Sequence, residues 1–306
     1  MSFSVLLGKM LIFVVLMVIG YLCVHTGYIS KAFVADASKL TINVFLVASI
    51  LNSVFDSEMQ LGLGGLAKII GIMSLMYAVS CLIAFAAAKL AKLPPDREPV
   101  FEMITAIGNN MFIALPVVQQ VYGAEGVFYV SMSSLPVNLL LYTYYVYRLT
   151  QGRGNTAFKL KDVFSAPLVA TVASLVIFAC RIPVPHVIRN VISSMSAATM
   201  PLSMLVVGAS LGRIRFADAF RDKYAYVSGV LRIAVIPAAV YLVLKMIPME
   251  PMLLKAAVII AASPGAIVCT VLSVQYGRDY VFSSKAILLT TAVSMLTIPM
   301  WVYFLG

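Results

Sequence analysis

Gly108-Asn109-Asn110-Met111-Phe112-Ile113-Ala114-Leu115-Pro116 lies inside an apolar run long enough to span a membrane, and its composition is wrong for an unbroken helix. Pro116 removes one backbone donor and crowds the carbonyl four residues back, at Phe112. Asn109 and Asn110 put two amides into hydrocarbon, which is costly unless each finds partners. A helix broken at mid-membrane and lining a polar cavity accounts for the glycine, both asparagines and the proline together. The plainer alternative is a proline-kinked helix whose asparagines pack against neighbours.

The rest of the chain fits a membrane setting. Of 306 residues, 62% are hydrophobic and 11% charged, and the mean hydropathy is +1.00. This is the composition of an all-α membrane protein with many crossings; a β-barrel would show short alternating segments. Cys23, Cys81, Cys180 and Cys269 are scattered without CxxC spacing, so no disulfide framework, metal site or cofactor is expected. The net charge of +10 gathers between the apolar runs, where it orients the chain in a bilayer and does not indicate nucleic acid. The first run has no small-residue cleavage site and is expected to stay as an anchor.

Ten spans of about 20 residues can be placed: roughly 5–24, 38–55, 66–88, 99–121, 126–147, 163–181, 194–211, 224–246, 254–276 and 281–305. Of the 22 lysines and arginines, 15 flank the connections after the odd-numbered spans, among them Arg148, Arg153, Lys159, Lys161, Arg213, Arg215 and Arg221. The positive-inside rule then puts both termini outside; the expected setting is a bacterial plasma membrane. Gly152-Arg153-Gly154-Asn155 reads as a turn between the halves.

An internal repeat supports that division. Val121-Tyr122-Gly123-Ala124-Glu125-Gly126-Val127-Phe128 is similar to Gln275-Tyr276-Gly277-Arg278-Asp279-Tyr280-Val281-Phe282, 154 residues later. Each copy joins a broken-looking span to the next, so the unit has five spans, 1–151 and 152–306. An odd number of spans inverts the second unit, which is a transporter signature. The second break is Ala261-Ala262-Ser263-Pro264-Gly265-Ala266. Each break starts a new half-helix with free N–H groups and the positive end of its dipole near mid-membrane, a setting that favours a carboxylate or phosphate.

At these residues the chain resembles the auxin efflux carrier family. Asn109, Phe112, Pro116, Tyr122, Gly123 and Gly126 match the family's fourth-span pattern; Pro201-Leu202 with Gly208-Ala209-Ser210-Leu211 matches the seventh; Pro264 and Tyr276-Gly277-Arg278-Asp279 match the ninth. Met111 and Ala114 replace two glycines, and Val47-Ala48 stands where a Pro-Ala pair is usual. The resemblance implies broken crossover spans 4 and 9, a scaffold of spans 1, 2, 6 and 7, and a moving domain of spans 3–5 and 8–10. It further implies elevator-like alternating access, homodimers and organic-anion substrates. Span 3 offers only Ser74, Tyr77 and Ser80 where the plant exporters carry charge, which argues against auxin itself.

Other residues compete for a role. Arg232 lies about 12 Å inside span 8 at ~1.5 Å per residue; an intramembrane charge is a functional candidate, although an arginine can snorkel that far. Asn138 in span 5 suits either a cavity or an inter-helix bond. Ser203, after Pro201, faces either the site or a packing neighbour. Tyr142, Tyr144, Tyr145, Tyr147 and Trp301 read as interfacial belts. Glu102 is the acid nearest the membrane interior, so no proton relay is evident, and coupling to sodium or protons stays open. The expectation is a secondary transporter of small organic anions, mono- or dicarboxylates, and not an enzyme. Its substrate site would comprise Asn109, Asn110, Pro116, Ser263, Pro264, Gly265, Asn138, Ser203 and Arg232. The rival readings are a sodium-coupled symporter of the bile-acid type and a non-transporting membrane receptor or regulatory subunit.

Overall fold

The computed structural model describes residues 3–55, 63–151, 166–180, 182–211 and 222–306. The turn at 152–155 and the orienting charges Arg153, Lys159, Lys161, Arg181, Arg213, Arg215 and Arg221 lie outside the described residues. Everything described is helix or connection, with one isolated backbone bridge and no strand. Six helical runs among the described residues are long and apolar enough to cross a membrane, and three further apolar helices are shorter.

In chain order the helices are α1 (Phe3–His25), α2 (Lys31–Leu40), α3 (Leu46–Phe55), α4 (Leu63–Leu90), α5 (Glu98–Ala106), α6 (Leu115–Met132), α7 (Ser134–Leu140) and α8 (Val146–Thr150). There follow α9 (Ala166–Ala179), α10 (His186–Leu211), α11 (Lys223–Val230), α12 (Ile236–Lys245), α13 (Pro251–Ala262), α14 (Ile267–Gln275) and α15 (Tyr280–Leu305). Side-chain oxygens start several of them: Ser30 accepts the Phe33 N–H, Asp222 that of Tyr224 and Asp279 that of Phe282.

Single π-helical turns join several of these pieces: Thr41–Phe45 between α2 and α3, Asn110–Ala114 before α6, Leu141–Tyr145 between α7 and α8, and Leu231–Val235 between α11 and α12. The run Asn110–Thr150 is 41 residues long, about 60 Å at ~1.5 Å per residue and twice a hydrocarbon core. It turns at Gly123, whose φ of 69° leaves the helical region. Gly277, its equivalent in the sequence repeat, has φ 64°. Both positions need the left-handed backbone that glycine adopts without steric cost.

Outward faces of α1 and α10 are apolar: Leu11, Val15, Val18, Ile19, Leu22, Val187, Ile188 and Val191 are all exposed. Between them the two helices meet backbone to backbone. A Cβ on Gly20 would stand 2.1 Å from the Leu205 carbonyl oxygen, and one on Gly208 would stand 1.9 Å from that of Met17. Small residues permit this approach where no hydrophobic effect drives association. Buried hydroxyls add inter-helix bonds, as where Ser49 of α3 meets Ser196 and Thr199 of α10 at 3.1 and 2.9 Å.

The charged end of the molecule is tied by ion pairs. Arg97 binds Asp279 at 2.8 Å and Asp222 at 3.3 Å, and Arg278 binds Asp96 at 3.0 Å. Glu102, fully buried, accepts from Arg148 at 2.8 Å and from the Tyr144 hydroxyl at 2.6 Å. The four tyrosines therefore do not form one belt. Tyr144 is turned to Glu102, Tyr145 is wholly buried and Tyr147 is 61% exposed. Residues 142 and 145 share a face three positions apart that looks into the protein. Trp301 is half-buried and has a partner within the protein. Pro237 has no N–H for the Ile233 carbonyl four residues back, and the Trp301 indole N–H binds that carbonyl at 3.1 Å.

Candidate functional site

The two breaks predicted from sequence are present and touch each other. Helix α5 ends at Ala106 and Ile107 turns to extended backbone; α13 ends at Ala262, and Ser263 and Ala266 are extended. The extended pieces pair antiparallel, Gly108 opposite Gly265. Asn109 N–H donates to Pro264 O at 2.7 Å, and Ala266 N–H donates to Ile107 O at 3.2 Å. Two backbone groups on each side, orphaned when the helices stop, are thus satisfied by the other break. A third bond, from Gly265 N–H to Thr290 Oγ1 at 3.1 Å, anchors the crossing to α15.

Arg232 passes into this crossing from the π-turn between α11 and α12. It is 1% exposed and does not snorkel. Its Nε donates to Ser263 O at 2.8 Å, Nη1 to Ala106 O at 2.7 Å and Thr105 O at 3.3 Å, and Nη2 to Ile260 O at 2.9 Å. These carbonyls belong to the C-terminal ends of α5 and α13, where helix dipoles leave partial negative charge. Ser263 adds its own cap, Oγ to Ile260 O at 2.7 Å.

Beyond the crossing each break begins a new helix. Asn109 caps the first: its Oδ1 accepts the Phe112 N–H at 3.2 Å, while its side-chain nitrogen has no partner among the described residues. Pro116, in the first turn of α6, lacks the N–H that would close a regular turn, and the Ala114 N–H reaches the Asn109 carbonyl at 3.1 Å instead. Asn110 donates its Nδ2 to the Tyr77 hydroxyl and to Ser133 Oγ, the latter at 3.1 Å; its Oδ1 has no partner among the described residues. The second new helix, α14, starts at Ile267 behind Ala266 with no side-chain cap; the Cys269 N–H turns back to Ala266 O at 3.0 Å, and the N–H groups of Ile267 and Val268 have no partner among the described residues.

A cavity of about 500 Å³ lies against both starts. Ile107 to Phe112 form one wall, Ala266 to Val268 with Val271 another, and Val137, Asn138, Leu141 and Tyr142 a third. The remaining side comes from Val34, Ala35, Ser38 and Ile42 of the α2 segment, Pro167 of α9 and Ser210 of α10. The lining is mostly apolar, carries no charged side chain, and offers the amides of Asn109, Asn110 and Asn138 with the hydroxyls of Ser38, Tyr142 and Ser210. This is the usual make-up of a site for a small organic molecule. Asn138 holds its orientation through Nδ2 to Ser134 O at 2.8 Å.

The predicted site residues therefore separate into groups. Asn109, Asn110 and Asn138 line the cavity. Ser263, Pro264, Gly265 and Arg232 form the crossing behind it, and Pro116 shapes the π-turn. Ser203 is wholly buried in α10, does not line the cavity, and its Oγ has no partner among the described residues. Sequence reasoning did not assign Tyr77 or Ser133 to Asn110, nor Ser38 and Ser210 to the cavity. The π-turns went unread as well, and each delivers a residue here: Ile42, Asn110, Tyr142 and Arg232. Such turns recur at functional sites; Pro116 and Pro237 were the local signals for two of them.

The apolar helices and the cavity between the two breaks are those of a membrane-embedded protein. A family model described as "Membrane transport protein" matches residues 5–302, and the chain belongs to that family, the auxin efflux carriers. It is similar to an "uncharacterized transporter" of Methanocaldococcus jannaschii, 23% identical over 302 residues that cover 96% of this chain and 97% of the relative. It is also similar to an "uncharacterized transporter" of Methanothermobacter thermautotrophicus, 24% identical over 294 residues, 94% of each.

Proposed function

We propose that the chain is a secondary transporter of small organic anions, carboxylates first, that works by alternating access. The single observation that carries this reading is the cavity bounded by both break starts. It combines an uncapped helix N-terminus at Ile267, the free side-chain nitrogen of Asn109 and an apolar surround. The partial positive charge and N–H donors bind a carboxylate, and the apolar walls hold its carbon skeleton.

In this reading the chain comprises ten spans as two inverted repeats, 1–151 and 152–306. The left-handed turns at Gly123 and Gly277 and the antiparallel pairing of Gly108 with Gly265 support the repeat. Spans 3–5 and 8–10 carry the site, while spans 1, 2, 6 and 7 supply the facing wall at Ser38, Pro167 and Ser210. Those wall residues lie at the start of span 2 (near the end of α2), the start of α9 and the end of α10, beside the Lys/Arg-rich connections. The cavity therefore opens to the cytosolic side, with both termini outside, and an elevator-like movement of the carrying helices would expose it to the other. Homodimers form through the scaffold.

The test is current on a solid-supported membrane loaded with proteoliposomes. A panel of carboxylates is applied with and without sodium and proton gradients, to the wild type and Asn109→Ala. A carboxylate current lost in the variant supports the reading. No current and no radiolabelled uptake with any carboxylate overturns it and favours a non-transporting receptor.

A further inference from the structure

We propose that the Arg232 guanidinium is a built-in cation, filling the position between the two broken helices that a bound alkali ion would otherwise occupy. Discontinuous helices in transporters commonly offer a cation their unwound carbonyls and half-helix C-terminal ends. Here those groups are Thr105 O, Ala106 O, Ile260 O and Ser263 O, from both breaks, and they converge on one side chain at 2.7–3.3 Å. Among the described residues no carboxylate lies within ion-pair distance of Arg232. The charge is balanced by the negative ends of α5 and α13, as a bound metal ion would be.

Three further features mark the position as built for a fixed charge. Arg232 is the largest wholly buried side chain described, so the charge is held away from water. The π-turn at Leu231–Val235 sets it at the crossing. Gly108 leaves the space for it: a Cβ there would stand 1.9 Å from Nη2. A planar guanidinium with five donors in a fixed fork suits several carbonyls at once, which an ammonium does not. The guanidinium also reaches both breaks, so it holds the two helix ends at one spacing whatever the cavity contains. The consequence for coupling, that no sodium ion binds at this crossing, rests on the transporter reading above; the occupancy of the position does not.

The experiment therefore reads occupancy without substrate. Thermal unfolding of the purified protein in detergent is followed while choline chloride is exchanged for sodium, potassium, lithium or guanidinium chloride at constant ionic strength. The wild type is expected to show the same Tm in all at millimolar levels. Arg232→Ala is expected to unfold at a lower temperature in choline and to regain at least half of the lost Tm, saturably, with guanidinium or an alkali ion. Arg232→Lys, which keeps the charge and loses the fork, is expected to stay unresponsive to sodium. Saturable stabilisation of the wild type by sodium would overturn the proposal, and so would an Arg232→Ala protein that no small cation restores. If Arg232→Ala yields folded protein only when sodium or guanidinium is present throughout purification, the proposal stands; if it yields none even then, it falls. A null result in the carboxylate assay leaves these outcomes untouched, so the two readings fail separately.

Discussion

Gly108 and Arg232 fit only as a pair: the space a methyl group would take at residue 108 is the space Nη2 of Arg232 takes, 1.9 Å from the ideal Cβ position. The same Cβ would stand 2.3 Å from Ser263 Oγ and 2.8 Å from Ile260 O. None of these neighbours is free to move, because the guanidinium is held by carbonyls of two helices. Gly265, opposite Gly108 in the bridge, differs: its Cβ would meet the end of the Ile104 side chain at 2.7 Å.

Gly108→Ala is therefore expected to destabilise the protein at or above the upper part of the range for overpacking, roughly 1–3 kcal/mol. Gly265→Ala is expected to cost less, because under 3 Å its Cβ meets only the Cδ1 and Cγ1 carbons of one side chain, Ile104, which can shift, whereas one at Gly108 meets a backbone carbonyl and a guanidinium held on both helices. Thermal unfolding in detergent of the two variants, side by side, checks the order. Equal losses would mean that the pairing of the breaks, and not the guanidinium, sets the need for glycine.

Asn109→Asp separates the capping role of Asn109 from its binding role. Aspartate caps a helix start about as well as asparagine and favours the positive end of a dipole. The variant should fold with wild-type Tm or slightly above it. It also places a negative charge where an organic anion would sit, so carboxylate transport should fall at least tenfold. Asn109→Ala should instead lose about 1 kcal/mol of stability along with transport. Proteoliposome uptake and Tm measured on the same preparations distinguish the two; an Asp variant that transports normally would remove Asn109 from the anion site.

Tyr77→Phe tests the support behind Asn110. The amide nitrogen of Asn110 has two acceptors, the Tyr77 hydroxyl and Ser133 Oγ, which turns its oxygen away from both. Loss of one acceptor should cost roughly 1–2 kcal/mol and leave the fold intact. With the amide less firmly held, substrate affinity should weaken more than maximal rate. Concentration dependence of the transport current reads this directly, and a changed rate at constant half-saturation would contradict it.

The breaks were legible in the sequence because their causes are local. Proline without an N–H, asparagine able to cap, and glycine able to turn each act within a few residues, so Asn109, Pro116, Pro264 and Gly123 pointed to the right places. Arg232 was legible only as an oddity. Its partners are backbone carbonyls 28 to 127 positions away, and a carbonyl leaves no mark in a sequence. For the same reason a 12 Å depth from a span end suggested snorkelling, although the side chain turns inward. The tyrosines show a second limit. Composition gave Tyr142 to Tyr147 one role as a belt, but helical facing divides them, and facing depends on a π-turn that nothing in residues 141–145 announces. The cavity's scaffold wall was beyond reach too, because Ser38 and Ser210 are ordinary serines until α2 and α10 are brought against the breaks.

The contact between α1 and α10 should tolerate no side chain at its two glycines. Gly20 meets the backbone of Leu205, and Gly208 meets that of Met17; backbone cannot rotate aside as a side chain can. Gly20→Leu and Gly208→Leu are each expected to push the helices apart and to lower Tm or abolish the monodisperse peak in detergent chromatography. Gly64→Leu is the control, because nothing lies within 4 Å of a Cβ there, and it should behave as wild type. Wild-type behaviour of Gly208→Leu would show that α1 and α10 are not in backbone contact in the membrane.

Glu98 gives a pH dependence with a definite sign. It stands at the first position of α5, bonded to Lys89 Nζ at 2.8 Å and to Arg148 Nη2 at 3.0 Å. Lys89 above all, opposed by partial burial and helped by Arg148, holds its carboxyl below the usual carboxylate range. A carboxyl whose folded value is lowered stabilises the protein above its unfolded value, about 4.3, and loses that contribution as the pH falls through the folded value. The Tm advantage of the wild type over Glu98→Gln should thus be constant from neutral pH to about pH 5 and shrink below it. Lys89 is half exposed, so added salt should reduce the advantage as well. A gap between the two proteins that widens on acidification would mean that Glu98 is held protonated in the folded state and that the pairing with Lys89 is not what stabilises the start of α5.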